Sequence, residues 1–244
     1  MFSTASEVCA LAGQCRALLL DLNDTFAFDC DRLGSDQHFE VTYRELGGAG
    51  LDPTLVRRIV HDTCQSLRST GHDPASFTTF PTVRDTVAGL NQASPLASNE
   101  IDMLADVIGT HEVGTVPPEY AAAVRTLAGR YRLGLVSNIW SSSRFFTECL
   151  TAAGVEDCFE TLVFSSDHGI TKPSAEIFEI AMAAMGVRSD ETLYVGNSFR
   201  RDVVGARNAG LRVVWINARG EESGPGYSPD AVMSDFLEFV SAVA

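Results

Sequence analysis

The stretch Ala17-Leu18-Leu19-Leu20-Asp21-Leu22-Asn23-Asp24-Thr25 runs four apolar residues into a carboxylate and a polar turn. An uninterrupted apolar run of this length predicts a strand buried on both faces of a parallel sheet. In open α/β sheets, ligands bind in the crevice beyond the carboxyl ends of the strands. Asp21 therefore stands where such a fold carries its chemistry.

Three later apolar runs end the same way. Leu133 to Val136 runs into Ser137-Asn138, and Thr161 to Phe164 runs into Ser165-Ser166-Asp167 with Lys172-Pro173 just beyond. Thr192 to Val195 runs into Gly196-Asn197-Ser198 and then Asp202. Four strand ends in chain order thus present a carboxylate, a hydroxyl, an ammonium and a distal carboxylate. Lys172 is the only lysine among 18 basic residues. An ammonium is a compact point charge where guanidinium is a planar fork, so its retention at this one place favours a specific role.

From Pro117 onward, helix and strand signals alternate: helix 118–131, strand 133–136, helix 142–153, strand 161–164, helix 174–185, strand 192–195, helix 200–209, strand 212–216. Ala231 and Val232 suggest a short edge strand before a last helix at 235–243, and the Gly- and Pro-rich stretch 221–228 reads as an exposed loop. Such alternation predicts a doubly wound parallel sheet, α/β in class, which the 17–20 strand must join as a central member. Between Thr25 and Leu133 lie about a hundred residues, too many for a loop. They read as helices at 35–46, 53–69, 81–91 and 98–111, punctuated by Gly, Pro, Asp and Asn. In the second of these, Leu55, Ile59, Val60, Cys64 and Leu67 share one face at helical spacing. This interval is expected to form a small helical domain over the strand ends.

The 244 residues suit one large domain or two small ones, and 45% of them are hydrophobic, enough for a sizeable core. The net charge of −14 and the lack of any Lys/Arg block argue against nucleic acid as a partner. An anionic substrate would need a metal or local cations to be held against that field. The six cysteines form no Cys-x-x-Cys pair or Cys/His cluster. With no export signal in the first fifteen residues and no apolar stretch of membrane-spanning length, a cytoplasmic protein with reduced thiols and no membrane association is expected. The sequence gives no reading of oligomeric state.

A carboxylate at the position of Asp21 can attack an electrophilic centre and form a covalent intermediate, and phosphorus is the obvious centre. A turn or cap role is the alternative for a lone Asp. Thr25 follows four residues on, and the turn amides can bind an anion. Ser137 and Asn138 are suited to hydrogen-bonding the equatorial oxygens of a transferring phosphoryl group, or else to capping the helix near Ser142. Pro173 is read as a first-turn helix proline that fixes Lys172 at the strand-proximal end. Asp202, placed near a helix start, either caps it or faces Asp21 to complete a Mg²⁺ site, since Mg²⁺ takes one or two carboxylates, waters and substrate phosphate oxygens.

These residues in this order resemble the haloacid dehalogenase-like (HAD) hydrolase superfamily. Asp21 to Thr25 looks like its first motif, Ser137-Asn138 its second, Lys172-Pro173 its third, and Gly196 to Asp202 followed by Val204 to Gly210 its fourth. The likeness spans Ala17 to Ile216. It implies a Rossmann-like core, residues 1–28 and 115–244, with an inserted helical cap domain, residues 29–114. It also implies an aspartyl nucleophile at Asp21, catalytic roles for Asn23, Ser137 and Lys172, and substrate contacts from Thr25 and Asn138. Mg²⁺ would be held by Asp21, the backbone carbonyl of Asn23, Asn197 and Asp202, and the substrate would be a small phosphorylated molecule.

Two departures stand out. The family's phosphatases usually place Asp at position 23 as general acid and base, and Asn cannot donate a proton in that sense; Asp24, where Gly is usual, is the nearest substitute. Asn197 replaces a further metal-site carboxylate, which should lower Mg²⁺ affinity. Both changes also fit a 2-haloacid dehalogenase, although those enzymes usually carry an aromatic residue at position 23, or a regulatory protein that has lost efficient catalysis. In the helical interval His38, Tyr43, Arg44 and His61 are candidate substrate contacts, and Asp29, Asp31 and Arg32 sit where they can gate access.

Overall fold

The structure, a computed structural model, describes residues 2–90 and 95–244. Six strands form one sheet, parallel in every pairing: β1 (Ala17–Leu20), β2 (Arg132–Ser137), β3 (Phe159–Phe164), β4 (Thr192–Gly196), β5 (Arg212–Ile216) and β6 (Ala231–Met233), in the order β3-β2-β1-β4-β5-β6. β1 is central, as its composition requires. Its side chains alternate between two apolar layers, Leu18 and Leu20 on one face, Ala17 and Leu19 on the other, all fully buried. The first layer is covered by α1 (Ala5–Ala12), α6 (Pro118–Ala128), α7 (Ser143–Ala152) and α11 (Phe236–Val243); the second by α9 (Ala175–Met185) and α10 (Val204–Asn208), while α8 (Ser165–His168) is a single turn after β3. A strand with no polar face is stable only when both sides are covered this way.

Chain direction across the sheet reverses between β1 and β4, so their carboxyl ends open a crevice at the topological switch point. Asp21 follows β1 and Asn197 follows β4 at that opening. Between β1 and β2 the chain makes α2 (Phe39–Glu45), α3 (Pro53–Thr70), α4 (Val83–Leu90) and α5 (Ser98–Glu112). These helices bury a cluster of their own, including Phe39, Tyr43, Ile59, Val60, Leu67, Val87, Leu104 and Ile108, with Trp140 from the sheet side packed against it. The outgoing and returning chain pair at Phe28 and Thr115 through two backbone hydrogen bonds of 2.8 Å each.

Several element ends differ from expectation, each for a local reason. α1 was not foreseen: with only Val8 and Ala12 buried it carries little periodic signal, but Thr4 and Glu7 close a capping box at its start. α2 begins at Phe39 rather than 35, because Gly34 to Gln37 close a tight turn first. α4 begins at Val83, where Thr82 and Asp85 exchange hydrogen bonds of 2.7 and 3.0 Å; its expected end at Asn91 lies outside the described residues. α9 begins at Ala175 with Ser174 as its cap, so Pro173 precedes the helix instead of opening it. The expected helix 200–209 is a π-helical turn, Phe199–Val203, followed by the short α10. Among the described residues no helix is long and apolar enough to cross a membrane.

Candidate active site

Lys172 organises the crevice. Its Nζ donates to Asp21 Oδ1 at 2.6 Å, Asp202 Oδ1 at 2.7 Å, the Tyr194 hydroxyl at 2.8 Å and the Val136 carbonyl at 3.1 Å. The partners come from the residue after β1, from β2 and β4, and from the turn after β4. Lys172, Asp21 and Asp202 are buried, Asp202 completely. Two buried carboxylates with one ammonium leave one excess negative charge in a dry site, an arrangement that survives only if every lone pair is well used.

The surrounding bonds meet that demand. Thr25 Oγ1 donates to Asp21 Oδ2 at 3.2 Å, and the Asp21 amide donates to the Val195 carbonyl at 2.9 Å. Asp202 Oδ1 also accepts from Tyr194 at 2.9 Å, while its Oδ2 accepts from the Ser198 amide at 2.7 Å. The π-helical turn makes this possible, because the wide turn carries Asp202 inward beneath Gly196, where a Cβ on residue 196 would stand 2.6 Å from the Asp202 carboxyl carbon. Burial pushes the Asp21 carboxyl above its ordinary range and the Asp202 charge adds to this, with Lys172 and Arg201 opposing. Burial likewise raises the Tyr194 hydroxyl well above its usual range, which keeps it a neutral donor.

The other expected site residues divide. Ser137 is fully buried and its Oγ has no hydrogen-bond partner among the described residues. Asn138 faces the cavity but its amide clamps the Lys172 backbone, accepting from Lys172 N at 2.8 Å and donating to Lys172 O at 3.1 Å. Asn23 is part-buried and accepts only from the Cys30 thiol, at 3.4 Å. Asp24 adopts φ +57°, the left-handed conformation that explains why Gly suits this position and which Asp tolerates better than most residues. Asn197 Oδ1 is buried without a hydrogen-bond partner, and its carbonyl accepts from Trp215 Nε1 at 2.9 Å.

A cavity of about 400 Å³ lies between the inserted helices and the strand ends, lined on one side by Asp31, Arg68, His72, Phe80 and Glu112 and on the other by Asn138, Trp140, Lys172, Arg200 and Arg201. Of the residues expected from the inserted segment, only Asp31 lines it. Tyr43 is buried against Glu100, His38 sits 3.5 Å from Glu40, and His61 lines a separate hollow with Arg57 and Arg58. Tyr194, Glu112, Arg68 and Arg201 were missed. Tyr194 lay inside an apolar strand run, and the others occur in helix or turn sequence that carries no spacing signal.

Glu112 is the last residue of α5 and buried. Its oxygens accept from the amides of Trp140 at 2.6 Å and Ser141 at 2.8 Å, which ties the returning chain to the loop after β2. Burial pushes its carboxyl up to about 7.

Among the described residues no group of three or more His, Cys, Asp or Glu side chains is arranged to hold a metal. A hard cation that takes one or two carboxylates and keeps its waters does not need such a group. Asp21, the unpartnered Asn197 oxygen, Asp202 Oδ2 and the Asn23 carbonyl are oxygen donors of the type such an ion takes, at or near the ends of β1 and β4. The residues present therefore fit such an ion.

The model of haloacid dehalogenase-like hydrolases matches residues 101–216. A phosphoserine phosphatase from Thermus thermophilus is 34% identical over 129 residues, 52% of each chain. Thus the chain spans about half the length of the curated relatives it matches. The solved structure of the HAD-hydrolase YfnB from Bacillus subtilis bound to magnesium is similar with a TM-score of 0.61 at 18% identity, over 94% of this chain and 99% of that one. A 2-haloacid dehalogenase from Pseudomonas syringae is similar with a TM-score of 0.65 at 22% identity, over 94% and 98%. At such identities these structures share the fold alone.

Proposed function

We propose that this chain, which belongs to the haloacid dehalogenase-like hydrolase superfamily, is a Mg²⁺-assisted phosphohydrolase working through an aspartyl-phosphate at Asp21. The observation that carries this reading is the Lys172 ammonium bridging Asp21 and Asp202 at the switch point. The named relative that hydrolyses a phosphomonoester supports it.

Asp21 attacks phosphorus in line and the leaving group departs as the acyl phosphate forms; water then cleaves that bond and frees phosphate. Lys172 holds Asp21 in place and offsets the charge that accumulates when carboxylate and phosphoryl group meet. Ser137 donates to an equatorial phosphoryl oxygen, and Thr25 fixes the rotamer of Asp21. Asn138 keeps the Lys172 backbone in position. Asp21, the Asn23 carbonyl, Asn197 and Asp202 would hold Mg²⁺, which supplies charge neutralisation at the phosphoryl oxygens.

Asn23 cannot protonate a leaving group, and general acid catalysis of this type is worth about 10²–10⁴-fold. Substrates whose leaving groups need no acid, such as acyl and aryl phosphates, are therefore preferred. Residues 29–114 act as a cap that covers the crevice of the core, residues 1–28 and 115–244, with the Phe28–Thr115 pair at the crossing. Six free cysteines fit a reducing, cytoplasmic setting.

Phosphate release from acetyl phosphate and p-nitrophenyl phosphate tests the reading. Mg²⁺-dependent turnover lost in Asp21→Asn is expected; no turnover with either, or turnover unaffected by the substitution, removes it. Asn23 also favours one competing reading, hydrolysis at carbon, which needs no leaving-group acid. Chloride release from 2-chloropropionate in EDTA would decide for that reading.

A further inference from the structure

We infer that the cavity above Lys172 holds a second anionic group of the substrate, recognised by Arg68 from the inserted helices together with Arg201 from the turn after β4. This deepens the phosphohydrolase reading and rests on it for the position of the reacting group.

The argument is one of charge. The whole chain carries 32 acidic residues against 18 basic ones, and Arg16, Arg57, Arg84, Arg132, Arg144, Arg188 and Arg207 each sit in an ion pair. The cavity inverts that balance, since apart from Lys172 its walls carry Arg68, Arg200 and Arg201 against Asp31 and Glu112. Lys172 is committed to Asp21 and Asp202, and Glu112 to two backbone amides. Arg200 donates to the Gly71 carbonyl at 3.0 Å and lies over the Phe77 ring, bridging the two sides of the cavity.

Arg68 and Arg201 remain. Among the described residues neither guanidinium has a hydrogen-bond or ion-pair partner. Asp31 is near enough for both to act on its charge but forms no ion pair with either. Arg68 lies over Trp140, its Cζ 5.6 Å from the ring centroid, a cation–π contact that occupies none of its N–H donors. A guanidinium fork with open donors matches a carboxylate or a phosphoryl group, both of which accept two parallel N–H bonds. The substrate is therefore a phosphorylated acid or a bisphosphate rather than a phosphorylated alcohol.

Matched pairs test this: 2-phosphoglycolate against ethyl phosphate, 3-phosphoglycerate against glycerol 3-phosphate, and fructose 1,6-bisphosphate against fructose 6-phosphate. The carboxylate pairs and the bisphosphate pair identify which anion is read. In at least one pair the doubly anionic member should show kcat/KM tenfold or more above its partner, and Arg68→Gln should reduce that ratio at least tenfold while Arg68→Glu inverts it. Calorimetric titration of the same pairs in EDTA reads the subsite without turnover. Turnover without preference in any pair, or a preference unmoved by Arg68→Gln, overturns the subsite and leaves the phosphohydrolase reading standing. An Arg68-dependent binding preference with no turnover of acetyl phosphate or p-nitrophenyl phosphate sustains the subsite and removes that reading. No binding preference together with no turnover of those two substrates overturns both.

Discussion

The Lys172 ammonium lies 2.6 Å from the Asp21 carboxylate, both buried, 151 residues apart in sequence. Removing one member of a buried charged cluster leaves the others without compensation, at a cost of about 3–5 kcal/mol. Lys172→Met should therefore lose about that much unfolding free energy and unfold at lower urea concentration. Adding Mg²⁺ should recover more stability in this variant than in the native protein, because a cation replaces the lost charge between Asp21 and Asp202. Equilibrium urea unfolding with and without Mg²⁺ measures both effects, and a neutral substitution would contradict this role for Lys172.

Asn23→Asp restores a carboxyl group two residues after Asp21. The expected gain in kcat is about 10²-fold on alkyl phosphates with poor leaving groups, with little change on acetyl phosphate. Steady-state kinetics on the two substrate classes reads the difference. An equal effect on both would mean that position 23 does not deliver the proton.

Asn197→Asp adds negative charge beside Asp21 and Asp202. Without metal this should raise carboxylate repulsion and lower Tm, and with Mg²⁺ it should tighten metal binding several-fold. A Mg²⁺ titration followed by calorimetry and by thermal melting separates the two. Unchanged affinity would show that the unpartnered Asn197 oxygen does not face the ion.

Glu112 gives a pH signature. Its carboxyl is raised to about 7 by burial, above the range it has in the unfolded chain. Between roughly pH 4.5 and 7 the unfolded state has lost this proton while the native state keeps it, so native stability falls as pH rises through that window. In Glu112→Gln the group does not titrate. The Tm advantage of the native protein over Glu112→Gln should shrink from pH 5 to pH 7.5, and an advantage that is flat or grows would refute the buried neutral carboxyl.

Much of this site was legible because α/β sheets put their chemistry at strand ends, and strand ends are easy to see after apolar runs such as Leu18 to Leu20 and Leu193 to Val195. Burial on both sheet faces leaves those runs unbroken by polar residues. The convergence of Asp21, Lys172 and Asp202 was expected from that rule together with the singularity of Lys172 and the resemblance to the family, and the structure brings the three together. Tyr194 escaped for the same reason: within a buried strand its ring reads as core, and only its hydroxyl, which reaches Lys172 and Asp202, sets it apart. Asn138 was legible as a polar residue at a strand end, but not its partner, since the Lys172 backbone reaches it only through tertiary packing. Arg68 and Glu112 lie on helices whose periodicity reports which face is buried and not what lies opposite. The π-helical turn at 199–203 reads in the sequence as ordinary helix, because nothing in the local spacing of Phe199 to Val203 separates a wide turn from an α-helical one.

The most direct test is detection of the covalent intermediate. Protein mixed with acetyl phosphate and Mg²⁺, quenched in acid within the first turnover and digested, should carry a phosphoryl group on the peptide containing Asp21. The modification should be lost in hydroxylamine and absent in Asp21→Asn. A substrate that is turned over while that peptide stays unmodified at every quench time would contradict the account.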